Sequence, residues 1–525
     1  MLNLKNIAFL LLIILFAAAP LTFISRFKLK NAYAGAILII LGLILVILPV
    51  KFTFNVDDKN EFYSHASVSK WRYFLNTNFK NYMDDHFEWA NKWNDSNKEN
   101  INDFGMYPFL RSEETKDFLG SYFNKADRPP NLVFLIIEGL GNAYSSPNGY
   151  IGNFTPFLHS LRDKSLNWEN CLSTSGRTFS VLPSILGSLP FSRNGFLEQN
   201  EYPLHFNLNN IFKHNGFETG FFYGGDASFD NMKKYMEFNK VDNLIDLTSF
   251  EEPYKKLPAQ NGESWGYDDQ AVLDKVLKTT LDANKPYMNT VLTLSTHSPF
   301  LINDQEYFDK QVDIRIKELN LSADNAKLAI SYKKQLASVM NIDHALKTFF
   351  DTYQKRSDFS NTIFVITGDH SMPEIVLQNK LDRYHVPLII YSPLIKSSKS
   401  FKNIVSHFDL APSLMAYYRT QYGLKTPLQI TWNGKGLDVG ASANGYGIPI
   451  MQSKTQQEDF VYAGYHISNN QLFKINDHLS EESDMSKSTS TMLKERFDIF
   501  KRKNQKLISN SALLPDSVYH NFFSN

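Results

Sequence analysis

Cysteine is almost missing from this chain. Cys171 is the one thiol among 525 residues, which excludes an intrachain disulfide framework and any paired-cysteine metal or redox motif. An excess of charge is missing too, because 54 basic side chains are matched by 54 acidic ones. That balance argues against nucleic-acid binding, which needs a concentrated basic surface to release counterions from phosphates. No long run of a single residue type points to a fibre or a disordered tail, and no internal repeat is visible. What the chain does have is apolar bulk: 43% of residues are hydrophobic, 14% are aromatic and 42 are Phe. At roughly 100–200 residues per domain, the length allows several domains and ample core.

Two segments carry no charge at all, Asn6–Ile24 and Ala32–Val50. Each is about 19 residues, enough to cross a hydrocarbon core of ~30 Å at 1.5 Å per residue. Core helices of this length would carry a polar stripe, so the pair reads as two transmembrane helices. The first also has signal-peptide features, with Lys5 ahead of the apolar run and Ala17-Ala18-Ala19 near its end, while its length and Pro20 favour an uncleaved helix. The loop Ser25–Asn31 carries Arg26, Lys28 and Lys30, which places it in the cytoplasm and everything after Val50 outside. Cleavage of the first segment would leave the orientation of the second open.

Phe52–Pro130 is polar and aromatic, with Trp71, Trp89 and Trp93 among charged residues, and reads as a membrane-proximal helical connector ending at Arg128-Pro129-Pro130. Short apolar runs then alternate with segments of helical spacing. The runs are Asn131–Ile137, Phe217–Tyr223, Met288–Leu294, Thr362–Thr367 and Val386–Tyr391. The helical segments are Thr155–Lys164, Leu208–His214, Asp269–Thr280 and Ser331–Tyr353. Fully apolar strands between helices imply an α/β doubly wound domain, with a mostly parallel sheet covered on both faces. From Asp459 the pattern changes to a hairpin, Phe460–His466 and Gln471–Ile475 around Ser468-Asn469-Asn470, then a polar helix bearing Leu493, Phe497 and Phe500. The run Ser488–Thr491 reads as a loop. The expected organisation is therefore a membrane anchor at 1–51, the connector at 52–130, the α/β domain at 131–458 and a completing antiparallel subdomain at 459–525.

Open α/β sheets bind ligands at the carboxyl ends of their strands. Immediately after the expected strands come Glu138, then Gly224-Gly225-Asp226, then Thr296-His297-Ser298, then Gly368-Asp369-His370. Each has an ordinary reading alone: Asp369 as a helix cap, Glu138 as half of a surface ion pair, His297 as a satisfied core histidine. Their recurrence at one sheet edge points instead to a metal site. Two carboxylates and an imidazole form a hard donor set that suits Mn²⁺ or Mg²⁺ and also admits Zn²⁺. A candidate nucleophile lies in the loop Ser173–Ser180, where Thr178 follows Gly176-Arg177 and precedes the apolar helix Val181–Leu189. Thr178 fits two roles equally from the loop alone, a helix cap or a hydroxyl nucleophile activated by a metal.

These residues resemble the alkaline phosphatase and sulfatase superfamily, in particular membrane-anchored lipoteichoic acid synthases and related phosphoglycerol transferases. The resemblance runs from Asn131 to Ile475. It is carried by the strand ending in Glu138, by Thr155-Pro156 and Gly176-Arg177-Thr178, by Phe222–Asp226 with Phe229, and by Thr296–Phe300. Val365–His370 with Val386–Pro393, and Asp409–Leu414, complete the series. It implies that Glu138, Thr178, Asp369 and His370 bind one divalent ion, Mn²⁺ first, with Thr178 doubling as nucleophile through a phosphothreonine. It implies that His297 contacts a phosphate oxygen or assists the leaving group, and that Asp226 and Arg177 line the same cleft. Donor and acceptor would be a membrane phospholipid and an extracytoplasmic envelope glycan or lipid. The sulfatase C/S-x-P-x-R pattern is missing, since Cys171 is followed by Leu172-Ser173-Thr174-Ser175, and a paired-metal site would need more Asp and His ligands. His385 stands where phosphoethanolamine transferases of the superfamily carry a histidine, which keeps that activity as an alternative, beside a hydrolase using water as acceptor. A two-helix anchor fits neither group of transferases, which carry more membrane helices. A non-catalytic binding protein is disfavoured by the intact four-ligand set.

Overall fold

The computed structural model describes residues 104–279, 285–438, 446–454 and 459–524. Both apolar segments read as membrane-spanning, Asn6–Ile24 and Ala32–Val50, lie outside the described residues, as does most of the expected connector. Among the described residues no helix is long and apolar enough to cross a membrane. Of the connector, residues 104–130 contain a two-residue strand, Arg111–Ser112, and a 3₁₀ turn, Leu119–Ser121, but no α-helix. Phe109, Leu119 and Phe123 from this stretch are buried in the main core, so it packs as an extended strap.

The central strand is β1, Asn131–Ile137, buried along its whole length. Leu132, Phe134 and Ile136 enter one apolar cluster and Val133, Leu135 and Ile137 a second. Alternate side chains leave opposite faces of a strand, so a continuous apolar run is what two covered faces require. The further strands are β2 (Leu166–Leu172), β3 (Glu218–Tyr223), β4 (Asn243–Ile245), β5 (Tyr287–Leu292), β6 (Thr362–Gly368), β7 (His385–Tyr391) and β8 (Lys399–Ser406). Their order across the sheet is β4-β3-β5-β1-β6-β7-β2-β8. All run in one direction except β7, which is antiparallel to β6 and β2. Helices α1 (Pro156–Arg162), α2 (Val181–Gly187), α3 (Leu208–His214), α4 (Asp269–Thr279), α5 (Gln305–Glu318), α6 (Lys333–Tyr353) and α7 (Leu410–Tyr422) flank it. One face is covered by α2, α3 and α7, the other by α1, α4, α5 and α6.

The five apolar runs form β1, β3, β5, β6 and β7. Three strands of this sheet escape the sequence reading. β2 reads LNWENCL, and its polar residues hide it, yet Asn167 and Asn170 are buried by donating to Ser400 Oγ (3.3 Å) and Lys402 O (2.7 Å) of β8. β8 is an edge strand with exposed Lys399, and β4 has only three residues. The reversed direction of β7 is equally silent, because a strand buried on both faces looks the same whichever way it runs.

A second sheet, fully antiparallel, joins β9 (Ile448–Ile450), β10 (Asp459–Tyr462), β11 (Tyr465–Ser468), β12 (Gln471–Ile475) and β13 (Glu481–Asp484) in sequence order. The expected single strand Phe460–His466 is two strands, because Ala463 (φ 51°) and Gly464 (φ 78°) turn the chain between them. The turn Asn469-Asn470 (φ 47° and 65°) joins β11 to β12 as its residue types demand. Ser488–Thr491, expected as a loop, lies inside α8 (Lys487–Asn510), since Ser486 caps that helix by accepting from Thr489 N and the helix buries its own Leu493 and Phe497.

Trp168 of β2 is fully buried, stacks on Phe401 at 4.7 Å and donates its indole N–H to Leu437 O at 3.1 Å. Trp168→Ala is expected to cost about 3–5 kcal/mol in urea unfolding, whereas Met485→Ala, at a 96% exposed position, is expected to stay within about 0.5 kcal/mol.

Candidate active site

β1 and β6 are parallel neighbours in a register that pairs Ile137 with Gly368, so Glu138 and Asp369 leave the sheet side by side. Asp369 N donates to Ile137 O (3.1 Å), and Asp369 Oδ1 accepts from Gly139 N and His370 N, both at 2.8 Å. A Cβ on Gly368 would collide with Leu140 O, so glycine lets the chain after β1 fold over the end of β6. Gly139 makes that fold with φ +61°. Tyr144 ties the two loops together. Its hydroxyl donates to Gly139 O (2.5 Å) and accepts from Gly141 N (2.9 Å) and Met372 N (2.8 Å), its full hydrogen-bonding capacity. From the β5 side, Glu138 N donates to Thr293 Oγ1 (2.9 Å) and the Thr296 hydroxyl donates to Glu138 O.

Glu138, Asp369 and His370 are buried, and their potential ligand atoms lie within 4.8 Å of one another. His370 Nε2 is 3.3 Å from Asp369 Oδ2 and 3.6 Å from Glu138 Oε1. Its Nδ1 lies 2.9 Å from Ser371 O, a contact that places the ring proton on Nδ1 and turns the Nε2 lone pair to the cluster. Thr178 joins them: its Oγ1 donates to Glu138 Oε2 at 3.0 Å and lies 3.4 Å from His370 Nε2. The hydroxyl is therefore not spent on a helix cap. Thr178–Ser180 is a 3₁₀ turn leading into α2, with Ser180 at that helix's N-cap position.

Burial drives the Glu138 carboxyl well above its ordinary pKa, and the neighbouring Asp369 pushes it the same way. Burial lowers the His370 imidazole, with Asp369 pulling the other way. Asp369 Oδ2, inside this group, accepts no hydrogen bond. Two buried carboxylates with a neutral imidazole and an orphaned oxygen lack only positive charge, and their hard oxygen and nitrogen donors fit a divalent cation.

The other expected site residues have different partners. His297 is half-buried on the loop after β5, with Nδ1 2.7 Å from Ser298 O and its ring 4.5 Å from that of Trp265. Arg177 is exposed beside Thr178, and its charge is felt at His370. Asp226 is exposed and accepts from Ser228 N at 2.8 Å, a bond that lowers its pKa. His385 opens β7, and the reversal of that strand brings it to the same sheet edge as Glu138. Its Nε2 lies 2.7 Å from both Glu169 O and Asn142 Nδ2, and burial lowers its pKa to about 4. The four-residue cluster thus assembles without hydrogen bonds from His297, Asp226, Arg177 or His385.

Two contributors were not read from the sequence. Arg383 Nη2 donates to Gly176 O at 3.3 Å, and its charge is felt at His370. It stands one residue ahead of the Tyr384-His385-Val386-Pro387 motif, the one signal that could have marked it. His407 lies buried behind the site, with Nε2 3.2 Å from Thr367 Oγ1, and burial lowers it to about 4. Tyr144→Phe is expected to orphan the Gly141 and Met372 amides and to lower stability by about 1–3 kcal/mol per group left unpaired, read as a shift in the urea midpoint.

A lipoteichoic acid synthase-like protein of Bacillus subtilis, YvgJ, is 21% identical to the chain over 308 residues, 54% of this chain and 46% of that protein. Phosphoglycerol transferase I of Xanthomonas campestris is 25% identical over 180 residues, 32% of this chain and 25% of that protein. The chain thus spans less than half the length of either relative. Among solved structures, an alkaline phosphatase superfamily protein from Vibrio parahaemolyticus superposes with a TM-score of 0.55 at 19% identity, covering 80% of this chain and 93% of that one. The lipoteichoic acid synthase LtaP from Listeria monocytogenes gives a TM-score of 0.52 at 17% identity, covering 74% and 95%. Both likenesses show the alkaline phosphatase-like fold. The sulfatase family model matches residues 130–419, from the strand ahead of Glu138 into α7, and with more than half of its length so matched the chain belongs to the sulfatase family of enzymes.

Proposed function

We propose that this chain is a phosphotransferase that moves a phosphoglycerol-type group from a membrane phospholipid to an extracytoplasmic envelope acceptor, through a phosphothreonine at Thr178. The observation that carries this reading is the seat of the Thr178 hydroxyl, 3.0 Å from Glu138 Oε2 and 3.4 Å from His370 Nε2 and not used as a cap. The names of the relatives, lipoteichoic acid synthase-like and phosphoglycerol transferase, supply the kind of group moved. Glu138, Thr178, Asp369 and His370 would hold one divalent cation, with Mn²⁺ preferred by the hard donors and Zn²⁺ or Mg²⁺ as alternatives. Bound there, the cation would supply Lewis acidity toward the phosphoryl oxygens.

The chain's own residues do the rest. Thr178 Oγ1 attacks the phosphorus of the lipid phosphodiester, and its proton leaves along the existing hydrogen bond toward Glu138 Oε2. The bond from phosphorus to the diacylglycerol oxygen breaks, and His297, on the loop after β5, would protonate that oxygen. Arg177 faces the phosphoryl charge from the solvent side. An acceptor hydroxyl, giving its proton to His297, then attacks the phosphothreonine; the bond from phosphorus to Thr178 Oγ1 breaks, and Glu138 returns the proton that restores the Thr178 hydroxyl. Asp226 and His385, expected as substrate contacts, stay outside the reacting group in this reading, because Ser228 engages one and Asn142 and Glu169 the other. The two apolar N-terminal segments would tether the site beside its lipid donor.

Mass spectrometry of the full chain after incubation with phosphatidylglycerol vesicles and Mn²⁺ is expected to show a glycerophosphate adduct on Thr178. Thr178→Ala is expected to lose the adduct and to lower turnover of a chromogenic phosphodiester on the order of 10⁴-fold, while still binding Mn²⁺ in calorimetry. Wild-type turnover by that variant would remove Thr178 from the reaction.

A further inference from the structure

The antiparallel sheet grips the site from two directions. Met451, just past β9, accepts from Gly176 N (3.2 Å) and donates to Thr174 O (3.0 Å), so it holds the loop that carries Thr178. The second grip is the turn Leu381–Tyr384. Tyr384 O accepts from Ser173 N (2.7 Å) at the end of β2, and Arg383 O accepts from Ser371 N (3.1 Å) beside His370. Ser371 Oγ donates to Asp382 O (2.6 Å), and Arg383 Nη2 reaches Gly176 O. This one turn is therefore bonded both to the nucleophile loop and to the residue after His370.

The turn itself is anchored by a buried group of charges. His466 in β11 is fully buried, with Nδ1 2.6 Å from Glu481 Oε1 and Nε2 3.1 Å from Asp459 Oδ1. The remaining oxygen of each carboxylate is spent on the turn. Asp459 Oδ2 accepts from the Tyr384 hydroxyl (2.6 Å) and from Gln452 Nε2 (3.0 Å), and Glu481 Oε2 accepts from Leu381 N (2.9 Å). Buried charges are costly unless paired, and apolar packing would hold a subdomain at less cost, so directional bonds at both ends of one turn argue for positioning rather than bulk stability.

We propose that Asp459, His466 and Glu481 form a buried clamp that holds the Leu381–Tyr384 turn against the nucleophile loop, so that the Arg383 guanidinium meets the phosphoryl oxygens of the substrate. This rests on the phosphotransferase reading of Thr178. Asp459, His466 and Glu481 act through the turn and are positioning residues; Arg383 touches substrate.

The groups that face His466 are Asp459 from β10 and Glu481 from β13, with Phe473 of β12 against the ring at 5.9 Å and the Tyr384 hydroxyl beyond Asp459. The two carboxylates push the imidazole up to about 9 against the opposing effect of burial. A pKa raised in the folded state means that the clamp is complete below the imidazole's ordinary range and is lost as pH rises through about 9.

The test uses the full-length chain with bis-p-nitrophenyl phosphate as substrate and inorganic phosphate as competitor, between pH 6 and 10. Arg383→Gln is expected to lower kcat/KM on the order of 10²-fold and to weaken phosphate inhibition about tenfold, with Arg383→Lys recovering part of both. His466→Gln is expected to lower kcat about tenfold and to abolish the wild type's fall in activity near pH 9. Tyr384→Phe removes one bond between turn and clamp, leaves the ion pairs in place, and carries the same comparison if His466→Gln does not fold. Unchanged phosphate inhibition in Arg383→Gln, or an unchanged basic limb in His466→Gln or unchanged kcat in Tyr384→Phe, overturns the clamp while Thr178→Ala stays inactive. Activity in Thr178→Ala overturns the reading beneath it instead.

Discussion

Two carboxylates, Glu138 and Asp369, are buried next to each other at the ends of adjacent parallel strands, and the rest of the site answers to that constraint. The Ile137–Gly368 register brings them together, and burial makes their joint ionisation expensive. Neutral His370, with its proton turned to Ser371 O, leaves the charge uncompensated, and so does the Thr178 hydroxyl. A divalent cation would resolve such a deficit, and the donor set is compatible with the metal-dependent chemistry of its family. A sheet built only for stability would have no reason to place two acids there.

The scaffold makes the deficit tolerable by removing freedom around it. Asp369 Oδ1 is fixed by two backbone amides and Tyr144 fastens one loop to the other, so the donors do not reorganise to relieve their repulsion. Parallel strands supply Glu138 and Asp369 from one sheet edge, and the reversal of β7 adds the start of a further strand to that edge. The small antiparallel sheet closes the remaining side through Met451 and the Leu381–Tyr384 turn. Catalytic precision in such a site is a property of the whole packing, because a displacement of about 1 Å in a reacting group costs orders of magnitude in rate.

How far the fold was legible depended on how local its causes are. β1 and β6 announce themselves because a strand buried on both faces is mostly apolar along its length. β2 did not, since its Asn167 and Asn170 become acceptable inside only once β8 supplies Ser400 Oγ and Lys402 O, 230 residues later in round terms. The split between β10 and β11 falls at Ala463-Gly464, whose positive φ values turn the chain inside an otherwise continuous apolar and aromatic run. Ser488–Thr491 looks like a loop by composition, yet a cap at Ser486 and apolar residues further on make the segment helical.

The amino-acid sequence by itself determined the layered α/β architecture, the carboxylates and imidazole that follow the strands, and the family resemblance, because each depends on residue type and short-range order. Tertiary structure alone decided the direction of β7, the release of the Thr178 hydroxyl from capping to Glu138, and the presence of Arg383 beside Gly176. The reason is physical. Register, strand direction and contacts across hundreds of residues are set by which distant surfaces can be buried together without leaving polar groups unpaired, and no local stretch of chain carries that information.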